Sequence, residues 1–137
     1  MKVYELYLKK RIANEVMIGL LSEIFKIDPG EAVIVEGFSA DEEINSESLL
    51  CIVNRVSGEF ESKIILCVYR EELCKLTSLQ LSRQLAELTQ TSCLVFKGTD
   101  NPYLYAIVDS GKEYDVLVDD GLLEENDQIT ILKSCVN

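Results

Sequence analysis

The apolar positions change their period several times along the chain, and each change predicts a new element. Val3 to Leu8 alternates loosely, as a first strand or as the leading turns of a helix after it. From Arg11 the recurrence becomes helical: Ile12, Val16, Leu20 and Ile24 fall at every fourth position, with Met17, Leu21 and Phe25 beside them. This predicts an amphipathic helix that stops before Asp28-Pro29-Gly30, because proline disfavours helical geometry in the residue ahead of it and glycine permits the turn. Ala32 to Val35 is a short apolar run. It passes through Gly37 into Asp41, Glu42, Glu43 and Glu47, a stretch too polar and irregular for more than a loop.

Leu49 to Val53 and Ile64 to Tyr69 are nearly continuous in apolar residues and read as strands, joined through Asn54 to Ser62 with a turn at Ser57-Gly58. Strands apolar on both faces belong inside a sheet, with a second layer or a second subunit over each face. Thr77 followed by Gln80 three positions later is a capping-box pattern, and Leu81, Leu85 and Leu88 continue as one stripe, so a second helix runs from there to about Gln90. Cys93 to Phe96 returns to strand, and Gly98-Thr99-Asp100-Asn101-Pro102 is a loop by composition.

A two-residue Ser110-Gly111 turn then places Tyr103, Tyr105 and Ile107 on one face with Tyr114, Val116 and Val118. The other face carries Leu104, Ala106 and Val108 beside Glu113, Asp115 and Leu117. After an acidic connection from Asp119 to Asp127, Gln128 to Lys133 forms the last strand. The expected fold class is α+β: a single domain over residues 1–137, with a mainly antiparallel sheet and two main helices.

Length supports the single domain, since 137 residues divided in two would leave each half short of core. Charge changes the picture more. Thirteen bases stand against 24 acids, a net charge of −11, and the summed field opposes nucleic acid and anionic membrane while favouring a basic protein partner. The distribution is uneven. Residues 1–27 hold five bases and three acids, whereas between Asp109 and Asp127 eight acids face a single base, Lys112, giving a local charge of −7. The first helix is therefore basic enough to touch a membrane surface, although a core helix with a solvated polar face accounts for it more simply.

Candidate chemistry is sparse. There is no histidine, which removes the commonest general base and nitrogen metal ligand. The seven glycines are scattered at turns and form no phosphate loop. The five cysteines have neither metal-knuckle nor redox spacing, and all but Cys135 sit in or beside apolar runs and read as small core hydrophobes in a reducing compartment. Asp119-Asp120-Gly121 with Glu124, Glu125 and Asp127 lacks the alternating ligands and flanking helices of a calcium loop. No cofactor or metal is expected. The basic start is interrupted by Asn14, Glu15, Ser22 and Glu23 and differs from a secretory signal, so a cytoplasmic protein is expected.

What remains is a set of carboxylates interleaved with tyrosines: Tyr103, Tyr105, Asp109, Glu113, Asp115, Asp119, Asp120, Glu124, Glu125 and Asp127, with Tyr114 among them. Aromatic side chains anchor interfaces, and charge speeds the encounter. A small acidic chain with two helices on an antiparallel sheet, and Asn101-Pro102-Tyr103 leading into an acid-rich hairpin, resembles the immunity proteins of bacterial contact-dependent inhibition and polymorphic toxin systems. The resemblance implies a non-catalytic inhibitor that binds a cognate basic toxin, often a nuclease, over or beside its active site. Immunity proteins share a role rather than one fold, so no residue role follows from it. Two other classes fit the same residues: a regulatory or structural subunit acting as a homodimer, and a carboxylate-based small-molecule binder or hydrolase. The Asp41 to Glu47 patch is the reserve contact surface.

Overall fold

The computed structural model describes residues 1–37 and 48–135, with the backbone alone at 120, 124, 125 and 133–135. The elements in order are β1 (Lys2–Leu8), α1 (Asn14–Phe25), β2 (Ala32–Glu36), β3 (Leu49–Arg55), β4 (Ser57–Gly58), β5 (Ser62–Val68), α2 (Ser78–Thr89), β6 (Cys93–Phe96), β7 (Leu104–Asp109), β8 (Lys112–Val118), α3 (Asp120–Asn126), β9 (Gln128–Ile129) and β10 (Ile131–Cys135). Eight strands form one open sheet in the order β10-β8-β7-β6-β1-β5-β3-β2. Every neighbour in it is antiparallel except β2, which runs parallel to β3 along Ala32↔Leu49 to Glu36↔Val53. The molecule is a single α+β domain, as the pattern of elements implies.

The first strand is the one the rest are built around. β1 pairs β5 over its whole length, from Lys2↔Val68 to Leu8↔Ser62, and pairs β6 only at Tyr7↔Leu94 and Leu8↔Cys93. Alternation sends Tyr4, Leu6 and Leu8 to the face that α1 and α2 cover, where they join Met17, Leu21, Phe25, Leu81, Leu85, Cys51, Val53, Ile64, Leu66 and Val68. The Tyr4 hydroxyl donates to the Leu76 carbonyl at 2.7 Å, which satisfies the one polar atom that this side chain brings into the core.

Both main helices form near where the sequence places them, with differences of detail. In α1 the fourfold spacing holds, but the buried stripe is Met17, Leu21 and Phe25, and Val16 is 54% exposed. The core takes the flanking series because it contains the phenylalanine, whose ring centroid lies 6.3 Å from that of Tyr4. α1 also begins at Asn14 rather than Arg11, and the guanidinium of Arg11 pairs instead with Glu36 on β2. In α2 the capping box is formed: Gln80 N–H donates to Thr77 Oγ1 at 3.1 Å, and Thr77 N–H to Gln80 Oε1 at 2.8 Å. Leu81 and Leu85 are buried, while Leu88 stays on the outer edge of the stripe.

Three connections differ from the sequence reading. Ala32 to Glu36, an apolar run ahead of the acidic stretch, is the edge strand β2. Ser57-Gly58 is no simple turn: it forms β4, which pairs parallel with β9 at Ser57↔Gln128 and Gly58↔Ile129. Gly58 has φ +89°, and a Cβ there would overlap the Ile129 carbonyl oxygen, so only glycine lets the two backbones approach. The acidic connection after Asp119 is not a loop but the helix α3, seeded by Asp119, whose Oδ1 accepts from Leu122 N–H at 3.1 Å.

β4, β9 and α3 lie across the second face of the sheet. Val56, Phe60 and Ile129 are buried there with Tyr7, Leu94, Ile107, Val116 and Val118, and Leu123 of α3 packs against them. Among the described residues the expected second layer is seen over the β1, β6, β7 and β8 part of this face. Further along it, the residues of β5 alternate between buried and half-buried, so among the described residues β5 is covered on the helix side alone.

Candidate functional site

The hairpin of β7 and β8 has the register that the two-residue turn implies, with Asp109 opposite Lys112 and Tyr105 opposite Val116. Because side chains alternate, the ten candidate residues do not share one surface. Glu113 and Asp115 lie on the helix-covered side, where the protein supplies their counter-ions. Arg83 of α2 grips Glu113 through Nε–Oε2 at 2.6 Å and Nη2–Oε1 at 3.0 Å. Lys97, just beyond β6, reaches Asp115 Oδ1 at 2.8 Å. Asp109, at the end of β7, accepts a hydrogen bond from the Ser92 hydroxyl. These three carboxylates belong to the molecule's own polar framework.

On the opposite face Tyr105 is half-buried and meets Phe96 edge to face, with ring centroids 5.5 Å apart. Tyr103 precedes β7 and is 49% exposed. Its carbonyl accepts from Val118 N–H at 2.9 Å, which fixes it beside the end of β8 and the start of α3. Tyr114 is half-buried, and burial, followed by the nearby Asp109, pushes its hydroxyl above the ordinary tyrosine range.

The remaining five acids are gathered on α3 and its two caps. Asp119 is the N-cap and Asp120 the first helical residue, both at the positive end of the helix dipole. Glu124 and Glu125 stand in the last turn, and Asp127 follows with φ +49° in the left-handed region. No lysine or arginine occurs between 119 and 127. Acids at the carboxyl end of a helix are opposed by its dipole, so charges at 124, 125 and 127 gain nothing from it, although the Asp127 N–H caps α3 on the Leu123 carbonyl. The reserve patch of Asp41, Glu42, Glu43 and Glu47 lies outside the described residues.

Elsewhere the ionisable groups serve the fold. Glu31 is held below the usual carboxylate range by the Asp28 backbone N–H, the Ser48 hydroxyl and the Arg70 guanidinium. Burial pushes the thiols of Cys51 and Cys93 up to about 12, which makes them poor nucleophiles. Among the described residues no three metal-ligating side chains converge, and no helix is long and apolar enough to cross a membrane.

A feature with no signal in the local sequence is a slit in the sheet. Beyond Tyr7↔Leu94, β1 and β6 diverge and leave a cleft of about 540 Å³ lined by Val3, Glu5, Tyr7, Phe96, Lys97 and Tyr105, with the first residues of α2 as its floor. Reading the strands one at a time gives no sign of it, because the split is a missing partnership between segments some ninety residues apart in the chain.

Compared with models of known families, with curated protein sequences and with solved structures, the chain matches none. Its class is therefore defined by what the fold presents: an α+β domain with an acidic helix on one face of an open sheet.

Proposed function

We propose that this chain is a protein-binding domain of the immunity type, which captures and neutralises a cationic protein partner through α3. The observation that carries this reading is the set of five carboxylates on α3 and its caps, with no base among them. Three of the five stand where the helix dipole opposes their charge. Elsewhere on the same hairpin Glu113 and Asp115 are matched by Arg83 and Lys97. On this reading Glu113 and Asp115, like the cap Asp119, serve the fold, and the acids at 120, 124, 125 and 127 meet the partner. Tyr103 stands next to the start of α3 and supplies aromatic contact area beside the charge.

Such a surface acts first on the encounter. A field of this sign draws in a basic protein, and salt screens it over about 8 Å at physiological ionic strength. The partner is a basic toxin domain, and binding over its cationic active site would deny that site to its own anionic substrate. The test is association kinetics with a cationic toxin domain at low and high salt, for the wild type and for a variant carrying Asp120→Asn, Glu124→Gln, Glu125→Gln and Asp127→Asn. Asp119 is kept as the cap. The association rate should fall by about tenfold or more in the variant and lose most of its salt dependence. Equal rates for the two proteins would remove α3 from the interface.

A further inference from the structure

The slit between β1 and β6 is an interruption in an otherwise continuous hydrogen-bonded sheet. Lys9 N–H donates to the Ser92 carbonyl at 3.0 Å, and Glu61 N–H donates to the Leu8 carbonyl at 3.1 Å, so odd-numbered residues of β1 direct their backbone groups toward β6 and even-numbered ones toward β5. Tyr7 is the last odd residue with a partner in β6. Glu5 and Val3 would pair next, with Phe96 and Gly98, and neither pairing is made. On the opposite lip Lys97 N–H donates to the Leu104 carbonyl of β7 at 3.3 Å, which leaves the backbone groups of Phe96 facing the gap. Among the described residues the backbone groups of Val3, Glu5 and Phe96 that face the slit have no strand partner, although they lie in the interior of a sheet.

We propose that the slit takes an extended peptide segment of a partner protein, which adds as a strand along the β1 lip at Val3 and Glu5. The occupant is set by the chemistry of the lips: alternating N–H and C=O groups are matched by another polypeptide backbone. Residues Val3 to Leu6 span about 13 Å, so roughly four residues of the segment pair there. Its side chains on the open face meet Val3, which is 50% exposed, and Phe96, which is 42% exposed, with Tyr105 beyond. This favours an apolar or aromatic residue at every second position. The slit is a different surface from α3, and its occupant is held by backbone pairing rather than by charge, so the two sites fail independently.

The probe is a phage-displayed library of random peptides of about six residues, selected on the full chain. A selected peptide is then compared with the same peptide N-methylated at alternate residues, which keeps the side chains and removes the backbone donors. Binding should weaken at least about tenfold on methylation and be insensitive to salt. In the free protein the amides of Val3, Glu5 and Phe96 should exchange with solvent faster than those of Tyr4 and Leu6, and the peptide should protect them. A Val3→Pro variant removes only the N–H that faces the slit and keeps the pairing with β5, so it should fold normally and bind the peptide more weakly. Equal binding by the methylated peptide, or a selection that yields no peptide preferring wild type to Val3→Pro, overturns the proposal.

Discussion

Arg83 and Glu113 meet end to end, the guanidinium placing Nε 2.6 Å and Nη2 3.0 Å from the two carboxylate oxygens and so tying α2 to β8. Glu113 is thereby committed to the fold although it sits in the most acidic part of the chain. An exposed bidentate pair of this kind contributes little to stability. Glu113→Gln should lower stability only slightly in urea unfolding, and it should leave association with a cationic partner unchanged. A slower association in Glu113→Gln than in the α3 variant would reverse the division between structural and partner-facing acids.

Gly58 is the contact through which β4 reaches β9. Its φ of +89° and the adjacent Ile129 carbonyl oxygen leave no room for a Cβ. Gly58→Ala should cost about 1–3 kcal/mol. The loss should be local, with the amides of β9 and α3 exchanging faster than those of β1 and β5. A uniform change across the sheet, or none, would mean that β4 and β9 do not hold α3 in place.

Glu31 links the turn before β2 to the start of β3 and the segment after β5, accepting from Asp28 N–H at 3.0 Å, Ser48 Oγ at 3.1 Å and Arg70 Nη1 at 2.9 Å. Those contacts lower its folded pKa below the unfolded value, the backbone N–H first among them. The carboxylate therefore contributes stability that is present above the ordinary glutamate range and is lost as pH falls through the folded pKa. Glu31→Gln should be less stable than wild type at neutral pH, and the gap in urea midpoint should narrow as the solution is acidified. A gap that stays constant with pH would show that the charge of Glu31 plays no part.

Local signals carried much of this architecture. The Thr77 and Gln80 capping box and the Ser110-Gly111 turn are settled within four residues, and both are formed as the sequence implies. The period of two in β8 already puts Glu113 and Asp115 on the face opposite Tyr105. Nothing nearby in the chain shows that Arg83 and Lys97 await them there. The buried stripe of α1 is displaced by one position because two apolar series of equal spacing compete, and the core decides between them. α3 is hidden by its brevity, its glycine and its charge, and it exists because Leu123 docks on a surface built from Tyr7, Val56, Phe60 and Ile129. β2 and β4 depend on parallel partners that no adjacent turn specifies.

The narrow join at Tyr7 and Leu8 also bears on how the chain assembles. Strands β1, β5, β3 and β2 all come from residues 2–68, and β6, β7, β8 and β10 from residues 93–135, so each half of the main sheet is contiguous in the polypeptide. As the chain leaves the ribosome the earlier half has all its own partners in hand before the later half exists. Within the main sheet the later half joins the earlier through a pair of residues on each side, and α2, synthesised between them, together with the β4–β9 pairing, carries the packing across the seam.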